Sequence, residues 1–333
     1  MERRVFLKSL SAVGLMPVFD PAYLSAKEAL QSGHTPTQAV PRRAYGRARD
    51  TISIIGFGGI VVKDVTPAEA SRYVGEAVDR GVNYFDVAPT YGNAQERLGP
   101  ALAPYRAKCF LACKTTERDA AGARREFEES LRLLHTDYFD LYQLHAITTV
   151  DDVERAFGRG GAMEWILEAK QQGKVRYVGF SAHSEEAAHA AMDRYDFDSI
   201  LLPLSFATWI KGRFGPSVHA RALEARRGVL ALKAMAYQKL ASPADDRRRW
   251  DKTWYEPLDQ VDRVSLGLRF TRHLPVDAMI PPGHWELFKM AVDLAQAGAL
   301  TPLNEREQQL VADMAAASQH WGRILWNCSE KML

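Results

Sequence analysis

The chain has 333 residues, 47% hydrophobic and 25% charged, a composition far from that of disordered or fibrous proteins. Its 43 basic and 41 acidic side chains leave a formal charge of +2, so no basic excess exists to neutralise a nucleic-acid backbone. No apolar run reaches the roughly 18 residues of a membrane span, and three cysteines (Cys109, Cys113, Cys328) without ligand spacing argue against a disulfide framework or a structural zinc site.

The amino terminus opens MERRVFLKSLSAVGLMPVF. A basic start followed by a short apolar stretch has the layout of a secretory signal. The string RRVFLK resembles the twin-arginine export signal of bacteria, which carries folded proteins across the membrane. Residues 1–40 are therefore expected to be signal peptide and linker, with the twin-arginine machinery as a partner and a periplasmic destination. The linker portion is the polar, proline-punctuated stretch 27–41. The competing reading is an amphipathic helix that stays attached and leaves the protein cytoplasmic or membrane-tethered.

From residue 52 onward, short apolar runs alternate with helical patterns. The predicted strands are 52–57, 82–86, 109–114, 139–144, 175–180, 198–203, 229–233 and 276–280. They are continuous and rich in β-branched or aromatic residues, as strands buried on both faces should be. The helix after the first strand opens Thr66-Pro67-Ala68-Glu69, which supplies an N-cap, a proline in the first turn and an early carboxylate. Helices end before glycine, at Gly81, Gly173 and Gly228. Eight such units predict a single-domain (β/α)8 TIM barrel over 41–333. The segment 303–317 is expected to cap it as a terminal helix. The one glycine cluster, Gly56-Phe57-Gly58-Gly59, runs into VVKDV and does not fit a dinucleotide-binding turn of a doubly wound sheet.

In a barrel, chemistry sits where the strands end. Asp86 closes the second strand with Tyr91 five residues on, Lys114 closes the third, and the fourth runs into His145. Alternation puts Lys114 on the side of Phe110 and Ala112 and both neighbouring cysteines on the other. A desolvated lysine needs a carboxylate, and Asp86 can supply it. A cation beside Tyr91 would stabilise its phenolate, and His145 can hydrogen-bond a carbonyl oxygen. Together they describe a tunable general acid beside a bound carbonyl. A Schiff base on Lys114 is the alternative, against which a protonated Lys–Asp pair argues.

These residues and their flanks resemble the aldo/keto reductase family. The motifs are GFGG at 56–59, GVNYFDVAPTYGNAQERLG at 81–99, ACKT at 112–115, DYFDLYQLHA at 137–146, GKVRYVGFS at 173–181 and AMIPPG at 278–283. The resemblance spans about residues 40–317. It implies an NAD(P)-dependent oxidoreductase of aldehydes, ketones or alcohols, with hydride from a nicotinamide and a proton from Tyr91. It further implies that Lys114 and Asp86 tune that proton, that His145 orients the substrate oxygen, and that Gly58, Gly59, Asp86, Ser181, Leu232, Lys233, Pro282 and Gly283 line the cofactor.

The cofactor side departs from the usual family pattern. Ala182-His183 follows Ser181 where an asparagine is common, Leu232-Lys233 stands where a stacking residue is common, and Lys289 is the lone cation after the last strand. The choice between NADP(H) and NAD(H) stays open. The helix start at Pro282-Gly283 offers free N–H groups to a phosphate. The stretch 239–257, with three consecutive arginines at 247–249 and Trp250, Trp254 and Tyr255, is expected to be a long unstructured belt or lid, its aromatics joining Trp209 around a flat or sugar-like substrate. Two further functions remain open. One is a nicotinamide-binding sensor or partner subunit. The other is an exported redox isomerase or epimerase that regenerates a permanently bound cofactor. Substrate identity and oligomeric state are not readable.

Overall fold

The computed structural model describes residues 19–32, 38–240 and 249–318; the string at residues 3–8, Arg247, Arg248 and Cys328 lie outside them. The chain enters through helix α1 (Pro21–Gln31), followed by an antiparallel hairpin of β1 (Arg42–Ala44) and β2 (Thr51–Ser53). The barrel then begins with β3 (Phe57–Gly58) and continues as α2 (Pro67–Asp79), β4 (Tyr84–Asp86), α3 (Ala94–Leu102), β5 (Phe110–Thr115), α4 (Ala120–Leu133) and β6 (Phe139–Ile147). Two helices, α5 (Val150–Phe157) and α6 (Ala162–Gln171), lead to β7 (Val175–Ala182). Next come α7 (Glu185–Arg194), β8 (Ser199–Pro203), α8 (Pro216–Glu224) and β9 (Gly228–Leu232). A small ribbon of β10 (Ala236–Lys239) and β11 (Tyr255–Pro257) precedes α9 (Val261–His273), β12 (Ala278–Ile280), α10 (Trp285–Gln296) and α11 (Glu305–Ala317).

The eight barrel strands pair in parallel in the order β12-β9-β8-β7-β6-β5-β4-β3. The ring closes through a parallel bridge between Ile55 and Met279, where Gly56 N–H donates to the Met279 carbonyl at 2.9 Å. This is the (β/α)8 barrel that the alternation predicts. Side chains segregate as the pleat requires. Tyr84, Phe110, Ala112, Leu141, Leu201 and Leu230 fill the interior, whereas Cys109, Cys113, Val178 and Phe180 join the layer between strands and helices. Thr66 caps α2 through a reciprocal box with Glu69. Among the described residues no helix is long and apolar enough to cross a membrane.

Three expectations need correction. The predicted strand 52–57 is divided: residues 51–53 pair back onto β1, and the barrel strand begins beyond them. The hairpin closes the base of the barrel by placing Tyr45 inside it, with the phenol donating to Ser199 Oγ at 2.6 Å. Gly46 makes that turn possible at φ +50°, since a Cβ there would lie 2.5 Å from Gly228 N. Second, the stretch read as linker is helical up to Gln31. Tyr23 is fully buried and bonds Asp262, Lys27 also pairs with Asp262, and Asp20 N–H donates to Glu307 Oε1 at 3.0 Å. Helix α1 is therefore tied to α9 and α11. Third, the belt 239–257 is shorter at both ends than expected: β10 and β11 pair as its stem with one bulge, and residues 241–248 lie outside the described ones.

Candidate active site

The barrel rim holds one cavity of about 90 Å³, whose lining includes Asp86, Tyr91, His145, Ser181, His183 and Lys233. Beneath it lies Lys114, with no exposed surface. Its ammonium bonds Asp86 Oδ1 and the Val87 carbonyl, the latter at 3.2 Å, and stands 5.3 Å from the centroid of the Tyr91 ring. The Tyr91 and His145 rings meet edge to face at 5.9 Å. The four residues singled out at successive strand ends thus converge on one spot.

The electrostatics follow from burial. Desolvation alone would depress Lys114, but Asp86 and Tyr91 outweigh it and its pKa lies above the ordinary value. The lysine stays an ammonium, which makes it unfit for Schiff-base chemistry and suited to stabilise negative charge beside it. His145 is pushed well below its ordinary value by burial, then by Lys114, His183 and Arg118, so it is a neutral imidazole at pH 7. His183 is lowered to about 3 by burial and then by Lys233.

Several supporting residues escaped the sequence reading. Asp86 Oδ2 also accepts from Tyr84 at 3.3 Å and from Gln143 Nε2 at 3.4 Å, so three donors fix the carboxylate. Alternation held that signal, because Tyr84 and Gln143 each lie two residues before a site residue on the same face. Arg118 donates to the His145 carbonyl at 2.7 Å and pairs with Asp152 at 3.2 Å, which clamps the end of β6. Directly after His145, Ala146 adopts φ +52°, a conformation that costs a side-chain-bearing residue roughly 1–3 kcal/mol. Its N–H donates to Ser181 Oγ at 2.7 Å. Ser181 therefore holds the bulge that presents His145, as well as lining the cavity.

Of the residues expected along a cofactor, Gly58, Leu232, Lys233, Pro282 and Gly283 line the cavity with Asp86 and Ser181. Gly59 does not; it lets the chain pass Val87, whose Cγ2 would lie 2.7 Å from a Cβ. Trp209 and Trp250 also lie outside the lining. Trp209 packs on His219 at 5.4 Å and Trp250 on His284 at 5.1 Å. Trp254 and Tyr255 do line it, with Lys252 and Thr253. Lys252 crosses the mouth: its Nζ donates to the Val61 carbonyl and its N–H to His284 Nε2, both at 3.1 Å.

Residues 54–213 match the model of the aldo/keto reductase family. An uncharacterised oxidoreductase of Bacillus subtilis is 29% identical over 178 residues, covering 49% of this chain and 56% of its own. L-galactose dehydrogenase of Arabidopsis thaliana is 26% identical over 181 residues, covering 49% and 55%. The chain thus spans little more than half the length of these relatives. In fold, the holo form of an aldo-keto reductase from Bacillus halodurans superposes with TM-score 0.64 over 85% of this chain and 99% of its own, at 24% identity.

The donor set at the rim fits a polar cofactor of the nicotinamide class. His145 Nδ1, His183 Nδ1 and Trp254 Nε1 are buried, lack a hydrogen-bond partner among the described residues, and belong to side chains that line one cavity. Buried polar atoms left unpaired are costly, so three of them around one space mark it for a polar occupant.

Proposed function

We propose that this protein is an NAD(P)-dependent oxidoreductase that interconverts a small carbonyl compound and its alcohol at the barrel rim. The observation that carries this reading is the buried Lys114–Asp86 pair set beneath Tyr91 and a neutral His145. The nicotinamide, when bound, supplies or accepts the hydride. Tyr91 donates its phenolic proton to the substrate oxygen, and the Lys114 ammonium stabilises the phenolate left behind. His145, uncharged, hydrogen-bonds that oxygen and orients it without competing as an acid. Asp86 keeps the lysine protonated, while Tyr84 and Gln143 keep Asp86 in place. Purified protein should oxidise NADH or NADPH with at least one member of a broad panel of aldehydes and ketones. Silence across the panel with both nucleotides would overturn the proposal.

Lys289 is engaged with Asp293 at 3.0 Å, and Glu286 stands in the first turn of α10. Both features disfavour a second phosphate there, so NADH should bind at least as tightly as NADPH.

A second reading concerns the mode of turnover. The resemblance of residues 3–8 to a twin-arginine signal supports a periplasmic location, outside the pool of free reduced nucleotide. The Lys252 strap over a 90 Å³ cavity supports a cofactor held through many cycles. A self-regenerating isomerase or epimerase would retain stoichiometric nicotinamide through dialysis, and an ordinary reductase would emerge empty. Fractionation of cells expressing the full chain tests the location: protein confined to the cytoplasm would contradict export.

A further inference from the structure

A second cavity, of about 290 Å³, lies at the base of the barrel, lined by Arg43, Arg269, Arg272 and His273 with Pro275 and the Leu300–Pro302 loop. It is remote from the rim along the chain: Pro275 precedes β12, whereas Pro281–Gly283 at the far end of that strand line the active-site cavity. Three structural elements converge here, namely strand β1, the last turn of α9 and the connection from α10 to α11.

Arg269 is satisfied. It is buried and forms a two-pronged pair with Glu307, at 2.5 and 2.7 Å. The other two guanidiniums form no ion pair among the described residues. Arg43 donates to the Val276 carbonyl at 2.6 Å and has no ion pair among the described residues. Arg272 has neither hydrogen bond nor ion pair among them, although half-buried; burial and then the charge of Arg43 lower its pKa. The nearby acids are occupied elsewhere. Glu307 serves Arg269, Asp20 accepts from Tyr23 N–H and Thr301, and Asp277 accepts from Gly46 N–H at 2.8 Å. Burial raises Asp277 to about 6, still mostly ionised at pH 7, and it acts on Arg43 without forming an ion pair with it.

The negative end of the α9 dipole favours Arg272 and His273, but only by about 0.3–1 kcal/mol. It explains neither the half-burial of Arg272 nor the approach of Arg43 from another element. Two mutually repelling guanidiniums around a cavity are stabilised by an anion placed between them, and their planar forks match phosphate oxygens. We propose that the basal cavity binds a small phosphate-class oxyanion at a site separate from the rim.

The test is titration of the full chain with inorganic phosphate by calorimetry, with and without saturating NADH. Wild-type protein should bind one phosphate per chain that NADH does not displace. Arg272→Gln and Arg43→Gln should each weaken this binding at least tenfold, about 1.4 kcal/mol, with turnover at the rim unchanged. Absence of saturable binding, complete displacement by NADH, or wild-type affinity in both variants would each overturn the proposal. The binding readout does not depend on the activity proposed above.

Discussion

The two ends of the barrel treat charge in opposite ways. At the rim, a buried ammonium is matched by a carboxylate that three donors fix in position, and both histidines are held neutral by burial. At the base, two arginines share a cavity and form no ion pair among the described residues. A paired charge is part of the machinery the chain carries; an unpaired one is completed from outside. The rim is therefore built to hold a charge in readiness beside a reacting oxygen, and the base to receive one.

The comparison is broken most severely by removing the rim ammonium. Lys114→Met leaves Asp86 buried without its cation, which should destabilise the fold by about 3–5 kcal/mol and lower kcat by about 100-fold or more, as loss of a tuned general acid does. Chemical denaturation and nicotinamide absorbance read the two effects. If stability were unchanged, the pair would not be the buried ion pair described here.

The next largest effect belongs to Arg118. Arg118→Met removes the donor to the His145 carbonyl and the cation beside Asp152, which keeps its hydrogen bonds from Thr148 and Thr149. A loss of about 1.5–3 kcal/mol is expected, with KM rising more than kcat falls because His145 orients the substrate. An unchanged KM would place the arginine outside the site's support.

The histidines give a pH signature with a definite sign. His183 takes a proton near 6.5 in the unfolded chain but only near about 3 when folded. The unfolded state thus binds more protons between these values, so stability falls as pH drops from 6.5 toward 3 and is insensitive to this group above that window. His183→Gln should flatten part of the slope in urea unfolding measured from pH 7 to pH 4. An identical slope in the variant would show that His183 is not buried neutral.

The smallest effect concerns the entry helix. Tyr23→Phe deletes one hydrogen bond to Asp262 and should cost about 1–2 kcal/mol; a neutral result would mean that α1 contributes little to the fold. This bears on export as well, because any cut after Tyr23 removes a side chain buried against the barrel.

The barrel was legible because buried parallel strands write themselves as continuous apolar runs. Asp86, Lys114 and His145 were legible because each follows such a run directly. The hairpin was not, because Arg42 and Arg43 break the apolar pattern and its partner strand merges with the run beginning at Ile52. Helix α1 was obscured by the polar, proline-punctuated stretch that follows it. Lys252 and Thr253 come to the cavity through a backbone path that no periodicity encodes. Gly59 and Trp209 show the converse, since residue types suited to ligand contact serve packing instead. Ser181 lines the cavity, but its hydrogen bond from the strained Ala146 requires coordinates.

The most direct measurement is the rate of carbonyl-dependent nicotinamide oxidation by Tyr91→Phe, set beside its nicotinamide affinity. The expected result is a fall in kcat of about 100- to 10,000-fold with nicotinamide binding and folding intact, since the ring remains and only the transferable proton is lost. A variant that turns over at the wild-type rate would contradict the central claim that Tyr91, poised above Lys114 and Asp86, is the proton donor.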